Sequence, residues 1–598
     1  MFSKTMIPTL FMVLCICFTT HSAYAAEVTP ENATKILRER CYRCHGGAAK
    51  EAGLDVLSLS NLIEQRGDSS SPSAFVVPGK PDESKLIRVL KGGEESYMPD
   101  EGSPEAKEMT QEEKDLLREW VAAGALFPEV KSRRFISETD ILKAMRDYLL
   151  SIKADDRGNI RFYTFTHLHN NPDVSDLDLR YYRAALSKAI NSLTKEREII
   201  LPIALPGTDE SVYVIDLHRL GWDRRHLWES ILGKYPYGLK FDFIRDETQK
   251  QLWKDVVQFS GAEVPYLRAD WFVLTATQPP LYHQLLDIPE TLMELEAELN
   301  LNILDNFLEG KVARSGYAKS GVSKQNRLLE RHEAPGTPYF WISYDFLPRR
   351  AKGDLSRFPL GPQFEHNPFN NQAFDHDGGE VIWSLPNGMQ AYMLVDGKGA
   401  RIDAGPIDVV FDRSAVLGTP KIINGISCIY CHRNGMITDF RDELRQAETL
   451  GGAPRDHVLK IYPTDDAMQR VVKQDQELFL RSLEKVVGPF LKVGDDAKKL
   501  ISEFPEPVGK VAEMYSRDLT ARAMALELGV EKVEILQAKI DANRDLLRFG
   551  LGTMTQDPPG TLKREKWETQ DGTSLMQDVA SQLRMGLPYV PARSAGTP

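Results

Sequence analysis

Apolar residues recur along much of the chain with the 3.6-residue period of an amphipathic helix, so most of the predicted elements are helical. The clearest case is MTQEEKDLLREWVAAGA, in which one apolar stripe consists of Leu116, Leu117, Trp120 and Val121. A Thr110/Glu113 capping box marks the start of this helix. Helical patterns of the same kind occupy residues 30–40, 177–199 and 283–310, and three long segments after residue 465.

Alternation of apolar and polar residues, the pattern of a half-buried strand, dominates residues 380–410. Turn signals at Pro386-Asn387-Gly388 and at DGKG, residues 396–399, divide this segment, which predicts an antiparallel meander of three or four strands. ESVYVIDL, at residues 210–217, predicts a further strand. The fold class is therefore predicted to be mainly α with some β.

These patterns divide the chain into four parts. Residues 1–25 predict a signal peptide, because a positive residue and a short apolar run precede the cleavage pattern Ala23-Tyr24-Ala25. Residues 27–128 predict a small helical domain, 131–365 a mixed α/β middle region, and 366–598 the meander followed by helices. No later stretch is apolar enough to span a membrane. We therefore expect the protein to be exported, to the periplasm or a comparable compartment.

The charge of the chain limits the classes of partner. Its net charge is -12, with 42% apolar and 27% charged residues, which is ordinary for a globular protein. An acidic chain without a basic block is unsuited to nucleic acid or to anionic lipid surfaces. The acidic segment KGGEESYMPDEGSPEAKE, residues 91–108, predicts a solvated face, which could also steer a basic redox partner protein.

The cysteines supply the candidate chemistry. Two of the six lie in the predicted signal peptide, and the other four form two copies of C-x-x-C-H, namely Cys41-Cys44-His45 and Cys428-Cys431-His432. This motif is the covalent attachment signature of a c-type haem, whose iron is held by the adjacent histidine. A zinc site would need further Cys or His nearby, and a redox pair would not need the histidine. The sequence therefore predicts two covalently attached haems, with His45 and His432 as proximal iron ligands.

Further motifs surround the first copy. CYRCHGG is followed by AFVVPGKPDESKLIRVL, YMPDEG and MTQEEKDLLREWVAAGA, and together these resemble the planctomycete-type cytochrome c domain over about residues 30–128. The resemblance implies a small helical fold in which His45 and Met98 are the axial ligands. Pro99 favours an extended conformation at Met98, which suits a loop that presents a thioether. A His/Met haem has both axial positions filled, so we expect this haem to carry electrons only.

The second copy has no M-P turn at a comparable spacing, so its sixth ligand must come from farther away in the chain, be water, or be absent. His376 is the first choice, because the Gly-rich run FDHDGGE permits close backbone approach. The other candidates are His332, His366, His457 and Met468. Residues 160–590 also resemble exported bacterial proteins in which a late NGISCIYCH follows a cytochrome c domain. That resemblance implies an exported dihaem architecture and no particular reaction.

Two functions are compatible with this organisation. We favour electron transfer by a dihaem cytochrome c that exchanges electrons with a redox partner. The alternative is a peroxidase-like or oxygenase-like enzyme in which the second haem reacts. Arg331 and His332 resemble a peroxide-polarising pair, although a helix surface of mixed charge is the simpler interpretation. His167 and His169 could bind a metal from one side of a strand, or be hydrogen-bonded polar residues.

Overall fold

In the computed structural model the chain forms two compact units, residues 1–129 and 130–598. Helices account for about 45% of the residues and strands for about 14%, so the fold is mixed α/β. Within the described part of the chain, no helix is both long and apolar enough to cross a bilayer. The predicted signal peptide and Cys44 lie outside the residues that the structure describes, which are 28–42, 45, 54, 56–57, 62–63, 65–66, 73–91, 97–98, 108–127, 133–224, 226–318, 320, 325–348, 351–411, 419–438, 440–446, 449–556 and 559–591.

Helices dominate the described part of the first unit. Its elements are α1 (Pro30–Arg40), β1 (Gln65–Arg66), β2 (Ser73–Ala74), a 3-10 turn (Pro81–Glu83), α2 (Lys85–Lys91) and α3 (Gln111–Ala122). Helix α1 begins as predicted, because the Thr29 hydroxyl accepts the Asn32 N–H at 3.2 Å and Pro30 occupies the first turn. Helix α3 has the predicted capping box and buries the predicted stripe of Leu116, Leu117, Trp120 and Val121.

The second unit opens with a mixed sheet and short helices. The sheet has the order β4-β5-β3-β7, in which β3 is antiparallel to β5 and parallel to β7. Its strands are β3 (Ile160–Thr164), β4 (Ile203–Ala204), β5 (Val212–Asp216) and β7 (Tyr266–Arg268). The helices of this region are α4 (Glu138–Ser151), α5 (Thr166–His169), α6 (Asp176–Ser192), α7 (Leu227–Leu232), α8 (Glu247–Ser260), α9 (Ala269–Ala276), α10 (Leu281–Leu286), α11 (Leu292–Glu298) and α12 (Ile303–Glu309).

A six-stranded antiparallel meander forms the middle of the second unit. The predicted segment supplies three of its strands, and three more precede them in the chain, so strands from both sides of residue 365 join one sheet. In spatial as in chain order the strands are β8 (Val312–Tyr317), β9 (Arg327–Ala334), β10 (Thr337–Asp345), β11 (Gly378–Ser384), β12 (Gln390–Asp396) and β13 (Arg401–Ile402).

Helices complete the second unit. They are α13 (Ile426–Cys431), α14 (Gly452–Ile461), α15 (Asp465–Leu491), α16 (Pro507–Tyr515), α17 (Ala521–Glu527), α18 (Val533–Asp541), α19 (Arg544–Arg548), α20 (Arg564–Glu568) and α21 (Leu575–Gln582). Short strands are β6 (Leu239–Lys240) with β16 (Leu587–Pro588), and β14 (Gln570–Asp571) with β15 (Thr573–Ser574). One apolar core extends from Tyr163 to Tyr589 and includes Cys428.

Two local predictions are wrong. Arg331 and His332 lie on strand β9 and not on a helix. The prediction failed because inward positions of this strand carry charged residues, which hide the alternating pattern of a strand. His332 and Glu330 are fully buried there, and Arg314 on β8 neutralises Glu330. His167 and His169 lie on the one-turn helix α5 and not on a strand.

Candidate haem sites

The second C-x-x-C-H motif is carried by the short helix α13. Gly425 precedes this helix at φ 86°, a conformation that favours glycine. A side chain there would come within 2.4 Å of the Thr277 carbonyl oxygen, so the start of α13 packs directly against the main chain at residue 277. Cys428 is buried, Cys431 is exposed, and His432 follows as the C-cap of the helix.

Both cysteines and the histidine of this motif open on one cavity of about 620 Å³. Its size is in the range of cofactor sites, which are concave and mostly apolar. The walls come mainly from the meander and from residues 402–443, and their apolar members include Leu329, Trp341, Ile382, Val410 and Met436. Two thiols and an imidazole on an apolar cavity of this volume fit a covalently attached haem.

The His432 ring is oriented by the loop after the helix. Its Nδ1–H donates to the Gly435 carbonyl oxygen at 3.2 Å, which leaves Nε2 as the nitrogen with an available lone pair. Metal-binding histidines commonly donate their second ring N–H to a carbonyl in this way. Gly435 has φ 86°, and a side chain there would come within 3.1 Å of the Phe479 ring on α15. The turn that holds the imidazole therefore depends on a glycine.

A carboxylate approaches the same imidazole from the sheet. Glu380, on β11, has Oε2 at 3.7 Å from Nε2 of His432, beyond hydrogen-bond distance. Burial alone would raise the pKa of Glu380, but His432 in its charged form, with a proton also on Nε2, and Arg327 outweigh burial and lower that pKa to about 2. Burial, assisted by Glu380, raises the pKa of the Cys428 thiol well above its usual range. The cavity thus combines a neutral thiol with an ionised carboxylate.

The first motif is placed by α1. Cys41 is the C-cap of that helix, and the His45 N–H donates to the Cys41 carbonyl oxygen at 2.9 Å. The Met98 N–H donates to the Val89 carbonyl oxygen at 3.0 Å, which attaches Met98 to the end of α2. Next to Met98, the Tyr97 hydroxyl accepts a hydrogen bond from Lys114 of α3 at 2.8 Å. The main-chain positions of His45 and Met98 are thereby tied to the helices of the unit.

Comparison with known families finds a match, which lies in the first unit. Residues 41–102 match the family model described as Planctomycete cytochrome C. A cytochrome c domain implies a covalently bound c-type haem with its iron. It suggests a haem-binding protein that transfers electrons. No curated protein and no solved structure matches the chain.

Other residues nominated from the sequence lie elsewhere. His376 packs against the rings of Tyr344 and Phe374, at centroid distances of 5.0 and 6.1 Å, and is not among the described residues that line the cavity. His332 bonds to Glu330 at 2.6 Å, and Arg331 bonds to Asp475 at 3.1 Å. Neither of these two side chains lines the described walls of the cavity.

His167 and His169 of the middle region face different partners and do not form a common metal site. His167 faces Asp270 at 2.9 Å and Arg268 at 2.8 Å, and its pKa is lowered by burial and by Arg268. His169 bonds instead to the Arg134 carbonyl oxygen at 3.1 Å. In the part of the chain that the structure describes, no group of three His, Cys, Asp or Glu side chains could hold a metal ion. Both histidines are accounted for as partnered polar groups.

Proposed function

We propose that this protein is an exported dihaem c-type cytochrome that transfers electrons. One haem is attached through Cys41 and Cys44, with His45 and Met98 as its axial ligands. The second is attached through Cys428 and Cys431, with His432 as its proximal ligand. The partner would be a redox protein, and the compartment the periplasm or an equivalent one that is reached after removal of residues 1–25.

The cavity at α13 is the observation that carries the second haem. Cys428, Cys431 and His432 line one apolar space of about 620 Å³, and the Nδ1 bond to Gly435 leaves Nε2 of His432 available to a metal. A haem bound there supplies a one-electron redox centre. The residues of the chain would hold it covalently, orient its histidine and surround it with mostly apolar side chains.

Mass spectrometry tests the number of haems. Full-length protein from a host that matures c-type cytochromes should have a mass two haems above the mature polypeptide and should retain haem stain after denaturation. The double variants Cys41→Ala/Cys44→Ala and Cys428→Ala/Cys431→Ala should each lose one haem and keep the other. A wild-type mass one haem above the polypeptide, unchanged in the second double variant, would contradict the dihaem proposal.

A further inference from the structure

A carboxylate from the meander lies next to His432 in the cavity. Glu380 and His432 both line the cavity, and 3.7 Å separates Oε2 from Nε2. Bonds from imidazole nitrogen or carboxylate oxygen to a first-row metal are about 2 Å long, so a metal between two such atoms spans about 4 Å. The observed separation is close to that span.

The approach is to the iron-binding nitrogen and not to the other one. Nδ1 of His432 is occupied by the Gly435 carbonyl oxygen, so a carboxylate near Nε2 is not the usual outer partner that orients a ligating histidine. Glu380 is instead located within reach of a metal that would be bound at Nε2 of His432. His376, by contrast, is held between aromatic rings outside the described cavity walls.

Hydrogen bonds hold Glu380 in position through its main chain. The Glu380 N–H donates to the Ser343 hydroxyl at 3.0 Å, and that hydroxyl donates to Asp345 at 3.1 Å. Arg327 closes the chain with two bonds to Asp345, at 2.7 and 2.8 Å. Arg327 is therefore committed to Asp345, and no lysine or arginine of the described residues lies within 4 Å of the Glu380 carboxylate.

We propose that Glu380 is the sixth ligand of the ferric haem attached at Cys428 and Cys431. This inference rests on the proposed function, because it requires the second haem. An anionic oxygen ligand favours ferric over ferrous iron, since hard donors suit the more highly charged ion. The second haem should therefore be high-spin when oxidised and have a lower potential than the His/Met haem. Glu380 would bind ferrous iron more weakly, so the reduced second haem should be able to bind a small neutral molecule such as carbon monoxide.

The test uses Glu380→Gln in full-length, haem-loaded protein, with Glu443→Gln as the matched control. Glu443 also lines the cavity, so its variant removes the same charge without removing the ligand. We expect Glu380→Gln to abolish or alter the high-spin ferric signal and to weaken the preference for ferric iron at least tenfold. That tenfold change raises the potential by about 59 mV for one electron. Glu443→Gln should leave the spin state unchanged.

His376→Ala discriminates between the two candidate ligands. An altered ferric spectrum in His376→Ala, together with a wild-type spectrum in Glu380→Gln, would overturn the assignment to Glu380. So would a wild-type ferric second haem that is entirely low-spin. Haem content is measured in every sample by mass, so failure of attachment, which contradicts the proposed function, is distinguished from attachment with another sixth ligand.

Discussion

The same attachment motif occurs in two settings that differ in how the rest of the site is supplied. Cys41 ends an eleven-residue helix in a small unit, and Met98, the proposed second ligand, is nearby in sequence and tied to α2 and α3. Cys428 lies in a six-residue helix against a large core, and the group that faces His432 comes from a strand of a separate sheet. In the second motif a six-residue helix is enough to present two thiols and the histidine that follows it. In the proposed function the two sites would differ in how the second axial ligand is supplied.

Gly425→Ala should produce the largest difference between the two motifs. A Cβ atom there would lie 2.4 Å from the Thr277 carbonyl oxygen and would stand on a backbone with φ 86°. Left-handed strain and overpacking together cost about 2 to 5 kcal/mol in free energy of unfolding. Because the clash displaces the start of α13, we expect the variant to lose haem at Cys428 and Cys431 and keep it at Cys41. Mass spectrometry reports the haem count.

Gly207→Ala is the control for the Gly425 variant. Gly207 has φ 83°, but a side chain there meets no atom within 4 Å. It should therefore cost only the backbone strain, about 1 to 2 kcal/mol, and leave both haems attached. If Gly425→Ala retained both haems and matched Gly207→Ala in thermal unfolding, the close packing of α13 against residue 277 would not be needed for attachment.

Met98→Leu should affect only the first haem. Leucine is close to methionine in volume, so the fold should lose less than about 1.5 kcal/mol, but it has no sulfur to bind iron. We expect the first haem to open to carbon monoxide in the ferrous state and its potential to fall by about 59 mV or more, a tenfold change. The matched control is Met109→Leu, because Met109 is buried in the core of the same unit.

Spectra decide the Met98 prediction. A Met98→Leu protein whose first haem keeps the wild-type potential and does not bind carbon monoxide would contradict ligation by Met98.

Binding of carbon monoxide by wild-type protein at the haem of Cys428 would match the proposed carboxylate site. The same result would also satisfy the first requirement of the alternative, peroxidase-like reading, which additionally demands turnover.

The sequence predicted most accurately what local signals determine. Helices α1 and α3 of the first unit were predictable because their starts are capped by Thr29 and Thr110 and the buried stripe of α3 is uninterrupted. Only three of the six strands of the meander were predicted from the sequence. The buried side of β9 carries Glu330 and His332, and the charge of Glu330 is neutralised by Arg314 from the neighbouring strand. Such long-range pairing leaves no periodic signal in one strand.

The contact to His432 was missed for a related reason. The Gly-rich run HDGGE predicted His376 as the ligand, whereas the side chain that lies 3.7 Å from Nε2 of His432 is Glu380, in the same run. Its signal was present as a charged residue that opens the apolar strand segment EVIWS. Spacing along the chain cannot show which side chain of such a run faces a helix that follows much later, because that depends on the register of β11.

The smallest expected effect separates the two units by their helix caps. Thr110 accepts the Glu113 N–H at 3.2 Å at the start of α3, and Thr464 accepts the Ala467 N–H at 3.4 Å at the start of α15. Replacing either threonine by alanine removes one cap bond, which costs about 1 kcal/mol in free energy of unfolding. Thr110→Ala should lower hydrogen-exchange protection in the first unit only, and Thr464→Ala in the second only. Equal losses of protection in both units from either variant would mean that the units unfold as one cooperative body, in which case the two haem sites share one stability.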